Sequence, residues 1–143
     1  MDIKIPQTLD EWNAAGADYL PGHLGFSFIK VEPQEVMARL PVSKVLTAWN
    51  GFLHAGAVVT LADTCCGYGT VRALPQGAAG FTTIELKSNH LGTALEGMLD
   101  CVATAAHMGR TSQVWDAVVS ARVSGRTIAL FRCTQLILYP KHR

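Results

Sequence analysis

The stretch from Asn50 to Leu74 constrains the fold more than any other part of the chain. It opens with Asn50-Gly51-Phe52-Leu53-His54-Ala55-Gly56, a loop with a small, polar lining. From Ala57 to Leu74 it reads as a helix with apolar residues on every face. Between Ala55 and Val71 there is one charge, Asp63. A helix that is hydrophobic all round is normally buried, in a core or in a membrane. A membrane span takes about 20 apolar residues, more than this helix has. The pattern therefore predicts a core helix with a carboxylate inside that core. A buried carboxylate needs a partner or a site that uses it. Thr60 and Thr64 could serve as plain hydrogen-bond partners, and the sequence leaves this alternative open beside a functional role.

The chain has 143 residues, enough for one domain with a real core, and no linker divides it. Apolar residues make up 49% and charged residues 16%, which excludes a disordered chain. The formal net charge is +1 and no basic run stands out, which argues against nucleic acid as a partner. Met1 to Leu9 holds Asp2 and Lys4 and lacks an apolar run, unlike a signal peptide. A cytoplasmic protein is expected, with no membrane partner. Cys65, Cys66, Cys101 and Cys133 form no Cys-x-x-Cys pair, so no metal site is expected and buried free thiols are.

Thr8 to Leu20 reads as a helix, with Thr8 as cap and Glu11 three residues on, as in a capping box. Pro21-Gly22 is expected to stop it, which makes residues 1–23 an N-terminal helical segment. Gly25 to Val31 and Glu35 to Val42 alternate as strands, the second with Val36, Ala38, Leu40 and Val42 on one face. The core helix ends near Leu74, before Pro75, Gly77 and Gly80. Period two then returns. Phe81 to Asn89 sets Thr82, Ile84 and Leu86 against Thr83, Glu85 and Lys87. Gly97 to His107 is a long apolar strand, and Thr111 to Val123 puts Gln113, Trp115, Ala117 and Val119 on one face. Ser124-Gly125 suits a two-residue hairpin before Arg126 to Tyr139. The last four strands, joined by short turns, are expected to pair antiparallel. One sheet curled around one helix accommodates this order, an α+β arrangement over residues 1–143.

The residues Asn50-Gly51-x-x-His54-x-Gly56, followed by Leu61-Ala62-Asp63, resemble the signature of hotdog-fold acyl-CoA thioesterases of the phenylacetate-degradation type. The similarity extends through Gly80 to Glu85 and on to Gly97, and spans roughly residues 24 to 139. It implies a hotdog fold, a curved antiparallel sheet wrapped around one long central helix. That fold also carries dehydratases and non-catalytic acyl binders, so it does not by itself fix the function. The family usually has two glycines after the histidine, and here the first is Ala55. In the family the backbone N–H at that position binds the thioester oxygen. Alanine keeps the N–H, and its methyl group narrows the approach.

Thioester hydrolysis needs a nucleophile and donors for the oxyanion of the tetrahedral intermediate. The start of the core helix offers N–H groups at Ala55, Gly56 and Ala57 and the positive end of its dipole. Small residues at Gly51 and Gly56 would let a ligand approach the backbone. Asp63 would act as general base on water or as a nucleophile forming a mixed anhydride. His54 and Asp63 are nine positions apart. On a helix that is roughly 180° round and about 13 Å along, so they cannot converge on one substrate atom. If both serve one site, Asp63 must come from a second subunit. The resemblance also implies a site across a homodimer interface, with dimers pairing into a tetramer.

By the same resemblance Asn50 would orient the carbonyl or the water, although a loop Asn also commonly bonds its own backbone. Thr83 would help hold the water. His54 would bond the substrate or hold the loop. Arg110, after the Met108-Gly109 turn, is the best-placed cation for a coenzyme A phosphate, with Lys87, Arg126 and the Lys141-His142-Arg143 tail as alternatives. Coenzyme A is part of the substrate, and no separate cofactor is expected. Trp49, Phe52 and Tyr68 could line an aryl pocket. Asp18-x4-His23 lacks the Asn-Pro of a hotdog hydratase dyad and precedes the first strand. A non-catalytic acyl-CoA binder would have no need of Asp63.

Overall fold

A computed structural model describes residues 4–141, so Met1 to Ile3 of the leader reading and His142 and Arg143 of the basic tail lie outside the described residues. The elements are α1 (Leu9–Ala15), α2 (Leu20–Leu24), β1 (Ser27–Val31), β2 (Glu35–Pro41), α3 (Ala55–Arg72), β3 (Gly80–His90), β4 (Met98–Met108), β5 (Ser112–Ala121) and β6 (Thr127–Leu138). A short 3-10 turn at Lys44–Leu46 leads into the loop before α3. The six strands form one antiparallel sheet in the order β1-β2-β4-β5-β6-β3. With α3 packed against it, this is the hotdog arrangement.

Alternation sets the inner face of the sheet. Val36, Ala38 and Leu40 of β2, Leu99, Cys101 and Ala103 of β4, and Trp115, Ala117 and Val119 of β5 are all buried. α3 meets them with Val58, Leu61, Ala62, Cys65, Cys66, Gly69 and Thr70, a stripe at three- and four-residue spacing. Each large aliphatic side chain buried here, such as Leu61 or Leu99, contributes about 1.5–3 kcal/mol. The opposite stripe of α3 differs from the all-round burial expected. Val59, Thr60, Asp63, Thr64, Gly67, Tyr68 and Val71 are only half-buried, so Asp63 lies at the margin of the core.

The N-terminal segment departs from a single helix stopped by Pro21-Gly22. Thr8 Oγ1 accepts the Glu11 N–H as the capping box requires, while the Glu11 carboxylate accepts from the Gln7 N–H instead of the cap's own. The helix ends at Ala15, and Pro21 sits in the first turn of α2. A missing N–H costs nothing there. Asn13 of α1 binds both backbone groups of Phe28, accepting its N–H at 2.8 Å and donating to its carbonyl at 3.1 Å. It thus occupies part of the free ladder of edge strand β1.

The strand order holds a second departure. β3 does not pair with β4, which follows it; residues 91–97 carry the chain away, and β3 pairs with β6. The β3–β6 register shifts between Thr83 and Glu85, with Ile84 left between them. Thr83 therefore faces inward opposite Gln135, and Leu86 shares the face of its partner Cys133 while remaining exposed at the sheet edge. The expected grouping of Leu86 with Thr82 is reversed. β5 ends at Ala121 and β6 starts at Thr127, so the connection is longer than the two-residue Ser124-Gly125 turn. Val123 stands almost wholly exposed within it.

Candidate active site

The loop before α3 is a tight, closed turn. Thr47 and Leu53 form an antiparallel bridge, the Ala48 N–H donates to Phe52 O at 2.7 Å, and the Gly51 N–H donates to Ala48 O at 2.8 Å. Gly51 has φ +90°, in the left-handed region that glycine occupies freely. Asn50 Oδ1 accepts the Phe52 N–H at 3.2 Å, an Asx turn that fixes the loop tip.

His54 caps α3, which begins at Ala55 and not at Ala57. Its Nδ1 accepts the Gly56 N–H at 2.7 Å, so the neutral ring carries its proton on Nε2. The Ala57 N–H donates to His54 O at 3.0 Å. Of the three amides expected to be free, Gly56 and Ala57 are therefore in use. The Ala55 N–H has no hydrogen-bond partner among the described residues. Gly56 also has a steric reason to be glycine. A Cβ there would lie 2.9 Å from His54 Cε1 and Nδ1. Leu24, Val45, Leu46, His54, Gly56 and Thr60 border a cavity of ≈ 340 Å³ beside this helix start.

Asp63 borders a separate cavity of ≈ 290 Å³ with Pro21, Gly67, Tyr68, Phe81 and Thr83. Its Oδ1 is buried with no hydrogen-bond partner among the described residues. Neither threonine considered as a partner bonds it, and the Thr60 hydroxyl donates instead to Gly56 O at 2.8 Å. Burial without compensation raises the Asp63 carboxyl above the ordinary carboxylate range. Thr83 Oγ1 donates to Gln135 Oε1 at 2.6 Å. Tyr68 stacks on Phe28 with ring centroids 4.4 Å apart and forms one wall.

The two cavities share no lining residue. Within one chain the fold brings Asp63 together with Thr83, and His54 together with Gly56 and the free Ala55 N–H. It does not bring the two groups together. Of the aromatic residues considered for an acyl pocket, Tyr68 lines the Asp63 cavity. Trp49 and Phe52 do not, and both are exposed on the loop. Arg110 is exposed, with its guanidinium 5.5 Å from the centroid of Tyr139, whose hydroxyl donates to the Arg110 carbonyl. It borders neither cavity.

All four cysteines are free and buried. Hydrogen bonding with Cys101 and burial hold the Cys65 thiol well above its ordinary value, and Cys133 and burial do the same for Cys66. Thiols held protonated in this way are poor nucleophiles. Sequence reading assigned no role to Gln135. A signal was available, because Phe131, Cys133 and Ile137 alternate through β6 and place Gln135 among them on the apolar face.

The family model of the thioesterase superfamily matches residues 50–128, more than half of the chain, including the His54 cap, Asp63 and Thr83. This chain belongs to the thioesterase superfamily. The thioesterase is similar to the 1,4-dihydroxy-2-naphthoyl-CoA hydrolase of Escherichia coli, 30% identical over 133 residues that cover 92% of this chain and 95% of that protein. It is 31% identical over 119 residues to the proofreading thioesterase EntH of Cronobacter turicensis, covering 81% and 84% of the two chains. Among solved structures, a mutant of thioesterase PA1618 from Pseudomonas aeruginosa superposes with a TM-score of 0.86 at 28% identity, covering 94% of this chain and 96% of that one. The thioesterase is a thioester hydrolase on the hotdog fold.

Proposed function

We propose that this thioesterase hydrolyses acyl-CoA thioesters to the free acid and coenzyme A, at composite sites between two copies of the chain. The observation that carries this reading is the division of α3. An unpaired N–H lies at its start, between His54 and Gly56, which border one cavity, and an unpaired buried carboxylate oxygen lies in its middle, on a residue that borders the other. Each cavity supplies what the other lacks. The Ala55 N–H, aided by the helix dipole, would receive the thioester oxygen as it becomes an oxyanion. Asn50 and His54 would orient the carbonyl. Asp63 of the second copy, with a raised proton affinity suited to a base, would take a proton from water held by Thr83. Water oxygen bonds to the carbonyl carbon, the C–S bond breaks, and the proton passes to the leaving sulfur. Water is the only other reactant, and no metal or cofactor is required.

The half-buried stripe of α3 around Asp63 supports a second copy covering it, as does β3, an edge strand with exposed Ile84 and Leu86. Met37, Val102, Val118 and Leu130 form an in-register apolar row on the outer face, which supports pairing of dimers into a tetramer. The acyl-CoA substrate is supported by a relative named as a naphthoyl-CoA hydrolase. Assignment to the phenylacetate-degradation type rests on the Asn50–Asp63 signature. Arg110 remains the proposed contact for a coenzyme A phosphate, as an exposed guanidinium at a strand end. Free buried thiols agree with a reducing compartment such as the cytoplasm. No helix among the described residues is long and apolar enough to cross a membrane.

The test is thiol release from a panel of aryl- and alkyl-CoA esters by wild type and Asp63→Asn. Release that falls at least about a hundredfold in the variant, with the oligomer intact, is expected. No release from any ester by the wild type would reject the reading in favour of a binding module.

A further inference from the structure

A row of polar side chains crosses the inner face of the sheet where apolar ones are the rule. Gln113 of β5 is the cross-strand partner of Gln135 of β6, and Gln135 is the partner of Thr83 of β3. Both glutamines are fully buried. Gln113 has a structural explanation. Its Nε2 donates to the Ala73 carbonyl at the end of α3, and its Oε1 accepts from Trp115 Nε1 at 2.9 Å. Gln135 does not share it. Its Oε1 accepts from Thr83 Oγ1 at 2.6 Å, and its Nε2 has no hydrogen-bond partner among the described residues. A buried amide with an unpaired N–H is a net cost to the fold. An apolar side chain of the same size would avoid that cost, so stability does not account for Gln135.

Its one polar contact points to what does. Thr83 borders the same cavity as Asp63. A threonine hydroxyl can donate one hydrogen and accept two. With its hydrogen committed to Gln135 Oε1, Thr83 Oγ1 can only accept from a water in the cavity. Ionised Asp63 also only accepts. A water between two acceptors must turn both hydrogens toward them, which leaves its lone pairs for the thioester carbon. A Thr83 hydroxyl free to rotate could instead donate to the water or to Asp63, and would occupy the electron pair needed for attack or for proton transfer.

We propose that Gln135 is a positioning residue that fixes the Thr83 hydroxyl as an acceptor and thereby orients the hydrolytic water against Asp63. The assignment rests on the thioesterase reading above. It concerns turnover, because the water and not the substrate is being oriented.

The test is a double-mutant cycle on kcat and KM with wild type, Gln135→Met, Thr83→Val and the double variant, each with its thermal midpoint. Gln135→Met is expected to lower kcat about tenfold or more with KM within about twofold. Gln135→Glu, which keeps an acceptor oxygen, is expected to recover most of that loss. In the Thr83→Val background Gln135→Met should cost less than about twofold further, since Gln135 acts through Thr83. Should Gln135→Met fail to fold, Gln135→Asn takes its place in the cycle. It keeps a polar amide and withdraws it from Thr83. An unchanged kcat in the folded Gln135 variant, or an equal further loss without the Thr83 hydroxyl, would overturn the assignment and leave the thioesterase reading standing. A wild type inactive on every ester would overturn both.

Discussion

The imidazole of His54 and the backbone of Gly56 are fitted to each other. Nδ1 accepts the Gly56 N–H at 2.7 Å, and no Cβ fits on Gly56 beneath the ring. Gly56→Ala must displace the imidazole and break the cap. It is expected to cost about 1 kcal/mol in stability, the usual effect of losing an N-cap, and to lower thiol release. His54→Ala removes the same cap without a clash and should cost a similar amount. Urea titration of the two variants beside wild type checks both. An unchanged midpoint in Gly56→Ala would mean that the ring is not held there.

Asp63 has a raised proton affinity because burial penalises its charge. The folded protein therefore holds this proton to higher pH than the unfolded chain does. Its effect on stability is nil below the ordinary carboxylate pKa. As pH rises above that value, stability falls, and the fall levels off past the raised folded value. Asp63→Asn should remove this slope and leave the protein at least as stable as wild type near neutral pH. If Asp63 is the base, kcat/KM should fall on the acid side with a midpoint above the ordinary carboxylate value. Denaturation and rate profiles between mildly acidic and neutral pH read both effects.

A composite site predicts complementation. His54→Ala and Asp63→Asn homodimers would each have both sites damaged. Mixed dimers would have one site carrying both changes and one carrying neither. Co-refolding equal amounts should restore about a quarter of wild-type activity, from half mixed dimers with one sound site in two. No recovery in a mixture shown to contain mixed dimers would place both residues in the same subunit's site.

Gly69 lies under the Trp115 ring, and a Cβ built on it would overlap that ring. Gly69→Ala must separate α3 from β5 or tilt the indole, which also bonds Gln113. Overpacking of this kind costs about 1–3 kcal/mol, and a thermal midpoint measures it. Gly77→Ala has no neighbour to clash with, but its φ of +84° makes it strained as well. The loss at Gly69 is expected to be the larger of the two.

The parts of the fold legible in sequence were those set by local chemistry. The apolar run after His54 marked α3, Thr8 and Glu11 marked the start of α1, and alternation marked six strands. Position within the sheet was not legible, because nothing in Phe81–Asn89 states that its partner is β6 and not the strand that follows. The bulge at Ile84 then changed which residues face inward. Pro21 was ambiguous for a physical reason, since proline ends one helix and starts another equally well. Within the candidate site, the lone charge of the apolar helix singled out Asp63, whereas His54 and Ala55 were singled out by the resemblance of the Asn50–Asp63 stretch to the family signature. Which amide was free depended on the His54 rotamer, and a rotamer leaves no trace in sequence. Gln135 carried a signal only once its face was known.

The placement of β3 at the edge beside β6 has a kinetic consequence. Strands β4, β5 and β6 are joined by short turns and can zip as successive hairpins, whereas Thr83 and Gln135 are 52 positions apart. Chain closure over such a separation must occur before the contacts that reward it exist. The wall of the Asp63 cavity is therefore expected to be among the last parts of the chain to gain protection in pulsed hydrogen exchange during refolding. Early protection of β3 amides would contradict this order. A chain caught before that step would hold the β4–β5–β6 sheet with one side of the Asp63 cavity missing.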